Sequence, residues 1–125
     1  MHEFSVMQGV VSAVLSALEG RSYDKVVSVK LVVGELTFLA KEQLRFAFHV
    51  LTEGTDLEGA SIDIITKKAV VRCEKCGYRG GLRVDDDPRY HYALPVFLCP
   101  KCGGCVEIVE GKECFVESVV LEKEE

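Results

Sequence analysis

Two cysteine pairs carry the clearest chemistry in this chain. Cys73-Glu-Lys-Cys76-Gly and Cys99-Pro-Lys-Cys102-Gly each set two thiols one tight turn apart, and 22 residues (77–98) separate the pairs. The glycine after each pair can take positive φ and turn backbone N–H groups toward sulfur. Four thiolates converging tetrahedrally suit Zn²⁺, an ion without redox chemistry that gains most from a closed site. The spacing belongs to the C-x2-C…C-x2-C type of zinc site. Two disulfides, or four unrelated thiols, are the alternatives.

A second constellation stands at the chain start, Met1-His2-Glu3. A methionine before a large residue is a poor substrate for removal, so Met1 is expected to keep its free α-amine. That amine and the backbone nitrogens of His2 and Glu3 close two adjacent five-membered chelate rings. Nδ1 of His2 closes a six-membered ring onto its own backbone nitrogen. Four nitrogens in one plane select Ni²⁺ or Cu²⁺, whose ligand-field energy can displace amide protons; Zn²⁺ does not do this. The competing reading is an exposed terminal residue that binds nothing.

These groups need elements to place them. Val6, Val10, Val11, Val14, Leu15 and Leu18 recur at helical steps and predict an amphipathic helix from Ser5 to Glu19. Ser5 and Gln8 have capping-box spacing, and Gly20 is a fitting stop. Lys25–Val33 alternates Val27, Val29, Leu31 and Val33 with Ser28 and Lys30, which predicts a strand. A second helix fits Lys41–Thr52, with Leu44, Ala47, Phe48 and Leu51 on one face and Gly54 ending it. Ala60–Val71 and Cys114–Leu121 read as further strands. Between them, residues 73 to about 108 hold both cysteine pairs and all three prolines. Such a segment is too small to bury a sufficient core unaided, the situation a structural metal resolves. The expected fold is α+β: two helices packed on one face of a three-stranded sheet, with an inserted zinc-ribbon-like module bearing the two knuckles. The expected domains are 1–72 plus 112–125, which would bind nickel, and 73–111, which would bind zinc.

The remaining polar residues have plainer roles. Cys105 is expected to be a small half-buried thiol and Cys114 a core residue. His49 reads as a satisfied or exposed helix histidine, and Glu35 as a solvated loop carboxylate. Asp85-Asp86-Asp87-Pro88 reads as a solvated turn, because three adjacent carboxylates cannot all face one ion.

Composition narrows the function classes. Fifteen Lys and Arg against 20 Asp and Glu give a net charge of −5. Four zinc thiolates and a dication would take this to −7, a poor balance for gripping phosphates, so no nucleic-acid partner is expected. No apolar run reaches the length of a membrane span. Six cysteines without a recognisable secretion signal point to a reducing compartment, the cytoplasm. Neither a nucleophile–base pair nor a phosphate loop is visible, so no enzymatic activity is expected.

Together the pieces resemble the HypA/HybF family of hydrogenase nickel-incorporation proteins. The resemblance rests on Met1-His2-Glu3 with Ser5, Val33-Gly34-Glu35-Leu36, Leu44-Arg45-Phe46-Ala47-Phe48, Gly59-Ala60 and the two CxxCG knuckles. It implies a nickel metallochaperone that receives Ni(II) and, with a HypB-type nucleotide-hydrolysing protein, helps insert it into the [NiFe]-hydrogenase large-subunit precursor; in some organisms the family also supports urease. Carried over by position, the nickel ligands are His2, the Met1 amine and the backbone nitrogens of His2 and Glu3. The structural Zn(II) ligands are Cys73, Cys76, Cys99 and Cys102. Some family members add a histidine of the zinc loop to nickel, and the candidate here is His91. The rival function is a zinc-ribbon interaction module, transcription-related, in which the chain start is incidental.

Overall fold

The computed structural model describes residues 2–81 and 98–123. His91 and the Asp85–Pro88 turn lie outside these residues, as does Met1. In chain order the elements are α1 (Glu3–Leu18), β1 (Lys25–Gly34), a 3-10 turn (Glu35–Thr37), α2 (Lys41–Thr52), β2 (Ser61–Lys67), β3 (Val70–Arg72), β4 (Arg79–Gly80), β5 (Glu107–Glu110) and β6 (Cys114–Glu122). The chain forms two compact units. The first comprises residues 1–32, 39–65 and 114–125, and the second 33–38 and 66–113.

In the first unit α1 buries Glu3, Met7, Val10, Val11, Val14 and Leu18, positions that recur every three or four residues and so share one helical face. α1 packs against α2 and β6. α2 contributes Leu44, Ala47 and Phe48, each no more than 1% exposed. Thr52 ends the helix with its hydroxyl donated to the Phe48 carbonyl at 2.7 Å, which lets a polar side chain be buried. Gly20 and Gly54 follow the two helices at φ +77° and +76°, the left-handed conformation that glycine adopts without steric cost. The sheet order is β2-β1-β6, so the strand after the cysteine-rich segment joins the sheet of the first unit, as expected for an insertion.

Two expectations about element boundaries are corrected. The capping box is absent: α1 starts at Glu3, two residues before Ser5, and His2 is its N-cap without a side-chain cap bond. The first helical hydrogen bond runs from the Val6 N–H to the His2 carbonyl at 3.0 Å, while Ser5 and Gln8 are exposed. The cause is Glu3, which falls on the buried stripe one turn before Met7, with its Oε1 accepting the Ala40 N–H at 3.2 Å. The strand expected over Ala60–Val71 is two strands, β2 and β3, which belong to different sheets.

The second unit has its own antiparallel sheet in the order β4-β3-β5. Val71 pairs with Gly80 and with Ile108, and Arg72 with Arg79 and Glu107. Where β3 begins and β5 ends, the backbone of Gly111 crosses that of Ala69. A Cβ on Gly111 would meet the Ala69 Cα at 2.8 Å, and a Cβ on Gly34 would fall on the Gly111 carbonyl oxygen. Glycine at both positions permits the approach. The Leu36 N–H reaches the Gly111 carbonyl at 2.8 Å. Glu35, expected to be solvated, instead accepts the Ala69 N–H at 3.2 Å. This contact satisfies backbone where β2 has ended and β3 has not begun.

Candidate functional site

The two cysteine knuckles fold alike. In each, the first cysteine's N–H bonds the carbonyl five residues on, Tyr78 at 2.8 Å or Gly104 at 2.8 Å. Its carbonyl accepts the N–H four residues on, Gly77 or Gly103, both at 2.9 Å. Those glycines sit at φ +79° and +76°, as the CxxCG spacing requires. The turn then aims N–H groups at sulfur: Lys101 to the Cys99 Sγ and Gly104 to the Cys102 Sγ, both at 3.4 Å. β3 leads directly into the first knuckle, and an isolated bridge between Leu98 and Cys105 closes the base of the second.

The four sulfurs converge. Cys73 and Cys102 lie 3.5 Å apart, Cys76 and Cys99 3.6 Å, and all four ligand atoms fall within 4.8 Å of one another. Sulfurs about 2.3 Å from a tetrahedral zinc ion are about 3.8 Å apart, so the cluster fits structural Zn²⁺. Cys73 and Cys99 are buried, Cys76 and Cys102 exposed. Backbone N–H groups, that of Cys76 foremost, hold the Cys73 thiol below its ordinary value. Burial works against ionising Cys99, but the Cys102 and Lys101 N–H groups bring it down to about 7. The Tyr78 N–H would lower Cys76, yet burial and the surrounding Cys99, Cys102 and Cys73 sulfurs push it up to about 11. Four thiols this close do not ionise together unaided, and a dication among them removes the conflict.

The two extra cysteines stand outside this cluster. Cys105 is exposed rather than half-buried as expected. Cys114 is half-buried at the start of β6, where burial pushes its thiol up. His49 is exposed, its ring edge-on to Phe48 with centroids 6.1 Å apart.

The chain start is arranged differently. His2 is exposed at the N-cap of α1. Glu3 is 5% exposed, with its carboxylate turned onto Ala40, the N-cap of α2. Burial would raise this carboxyl, but hydrogen bonds outweigh it, those from the Glu3 and Ala40 N–H groups among them, and hold it below the usual carboxylate range. Sequence reasoning valued Glu3 for its backbone nitrogen and its negative charge and did not foresee that its carboxylate is buried against Ala40. The signal for it was present, since an acidic residue sat one helical turn before Met7 on the apolar stripe.

An α+β unit headed by a histidine at a helix start, together with a four-thiolate ribbon, defines a metal-binding protein. A family model described as "Hydrogenase/urease nickel incorporation, metallochaperone, hypA" matches residues 1–121, and the chain belongs to that family. Hydrogenase maturation factor HypA of Methanopyrus kandleri is 41% identical over 98% of this chain and 94% of its own length. Its counterpart from Methanothermobacter thermautotrophicus is 38% identical, with 100% of both chains covered. The fold is shared with the solution structure of the Ni metallochaperone HypA from Helicobacter pylori, at a TM-score of 0.63 and 22% identity over 99% of this chain and 100% of that one. Among the described residues no helix is long and apolar enough to cross a membrane.

Proposed function

We propose that this chain takes up Ni²⁺ at its amino terminus and passes it to the [NiFe]-hydrogenase large-subunit precursor with the help of a HypB-type partner, acting in the cytoplasm as a carrier. The observation that carries this reading is the register of α1. Because the helical ladder opens with Val6 bonding to His2, the backbone nitrogens of His2 and Glu3 lie ahead of every intrahelical acceptor. Neither nitrogen is spent in the helical ladder, and the His2 imidazole is exposed, so a metal binding there would not have to unwind a turn. In this reading Cys73, Cys76, Cys99 and Cys102 hold Zn²⁺ and stabilise the second unit, while His91 is a candidate further donor to nickel.

Nickel is the cargo, and the donor set suits a cargo. Binding requires loss of protons from the amine and two amides and a neutral imidazole, so affinity falls steeply as pH drops. A thiolate-rich acceptor can then draw the ion away. The same nitrogens bind Cu²⁺ more tightly than Ni²⁺, so selectivity must come from metal supply and partner contact.

The test is equilibrium dialysis of the untagged chain against Ni²⁺. His2→Ala, and separately two residues added ahead of Met1, are expected to abolish nickel binding while zinc content stays at one per chain. Nickel affinity unchanged by both alterations would defeat the terminal chelate.

A further inference from the structure

The two knuckles share their cysteines, a lysine before the second cysteine and a glycine after it, and then diverge: Tyr78 follows in the first, Gly104 in the second. A Cβ on Gly104 would meet the Lys75 Cδ and the Cys102 Sγ, each at 3.4 Å. The stem of a lysine from the first knuckle thus lies where the second knuckle lacks a side chain, next to the sulfur of an exposed ligand. We infer that Lys75 is a clasp across the four-thiolate cluster: its stem covers one side of the Cys102 sulfur and its ammonium offsets the cluster's negative charge, so that zinc is lost more slowly. This takes the cluster as the zinc site and is independent of the nickel reading.

Three observations carry the inference. First, Lys75 reaches both halves of the cluster. Its backbone N–H is among those that serve the Cys73 sulfur, its stem lies beside Gly104 and Cys102, and those two sulfurs are 3.5 Å apart. Second, one dication among four thiolates leaves a net negative cluster, which a neighbouring cation stabilises. Lys75 is exposed, so its ammonium keeps its water while the methylenes cover sulfur, as long cationic side chains do. Third, the arrangement is one-sided. Lys101 holds the same place in the second knuckle, and its N–H serves the Cys99 Sγ at 3.4 Å. Opposite it, however, stands Tyr78 instead of a glycine, with its hydroxyl donated to the Gly81 carbonyl at 2.8 Å. Gly77 has nothing within 4 Å of its Cβ position, so no lysine stem rests on the first knuckle's glycine.

The test reads zinc and thiols and does not depend on nickel. The zinc-loaded chain is mixed with excess chromogenic chelator, and the rate of zinc loss is followed by absorbance. Lys75→Ala keeps the backbone N–H and should lose zinc about fivefold faster, the upper range for one exposed charge interaction. Lys75→Arg keeps a stem and a charge and should stay near wild type. Lys75→Met keeps the stem alone and should fall between wild type and Lys75→Ala. Lys101→Ala makes the same charge change without the clasp and should stay within about twofold of wild type. Labelling with a maleimide, mapped by mass spectrometry, locates the effect: Lys75→Ala should speed modification of Cys102 more than of Cys76. Zinc loss at the wild-type rate in Lys75→Ala would overturn the inference. So would Lys101→Ala as fast as Lys75→Ala, since net charge alone would then explain both. Lys75→Met matching Lys75→Ala would leave the stem no part, and equal labelling gains at Cys76 and Cys102 would mean general loosening; either result rejects the clasp.

Discussion

Glu113 shows how much a single carboxylate can do when backbone surrounds it. Its Oε1 accepts the Gly111 N–H at 2.6 Å and the Lys112 N–H at 3.0 Å, and its Oε2 faces the Lys67 ammonium at 3.1 Å. The Gly111 N–H foremost, then Lys67, hold the carboxyl down from 4.5 to about 2. A carboxyl depressed by folding stabilises the native state above its unfolded value, and that contribution is lost as pH falls from about 4.5 toward about 2. Glu113→Gln is therefore expected to lower stability at neutral pH and to flatten its decline across that acid window, as urea unfolding at stepped pH would record. An unchanged pH profile would mean that the contact adds nothing to folding. The side-chain contacts of Glu3 and Glu35 escaped the sequence reading because each accepts a backbone N–H 37 or 34 residues away, a pairing that spacing along the chain does not announce. The cysteines were legible because both halves of each knuckle lie within one turn.

At the scale of elements, periodicity told helix from strand, and the glycine stops fell where expected. α2 was read from Lys41 to Thr52 and spans those residues. What alternation could not reveal was the break between β2 and β3, because Lys68 and Ala69 carry no turn signal. The break is set from outside, by Gly111 crossing Ala69 and by Gly34 lying against Gly111. Gly34 has an ordinary extended backbone, φ −68° and ψ 142°, so only space demands glycine there. Gly34→Ala would drive its Cβ into the Gly111 carbonyl oxygen. Rigid backbone cannot yield as a side-chain tip can, so the substitution is expected to cost about 2 kcal/mol or more. Denaturant unfolding of the zinc-loaded chain measures it, and a cost under about 0.5 kcal/mol, the range of a neutral surface change, would contradict the tight crossing.

For the whole molecule the division of labour is between a packed unit and a metal-stapled one. Both helices, 16 and 12 residues long, lie in the first unit, and the four clustered cysteines lie in the second. Among its described residues the second unit buries Val33, Leu36, Ala69, Val71, Cys73 and Cys99, a short list that a structural zinc would supplement, since its binding in such modules releases about 10–16 kcal/mol. Stripping zinc with a strong chelator should abolish amide-exchange protection in β3–β5 while the helical circular dichroism persists; protection that survives chelation would show that the core suffices. The central claim concerns the other end of the chain, where the proposed nickel donors precede the helical ladder of α1. Nickel-edge X-ray absorption of the untagged chain, with one equivalent of Ni²⁺ and its zinc retained, tests this most directly. The account predicts a four-coordinate planar nickel bound by nitrogen, lost when His2 becomes Ala. A six-coordinate or sulfur-bound nickel, indifferent to His2, would contradict it.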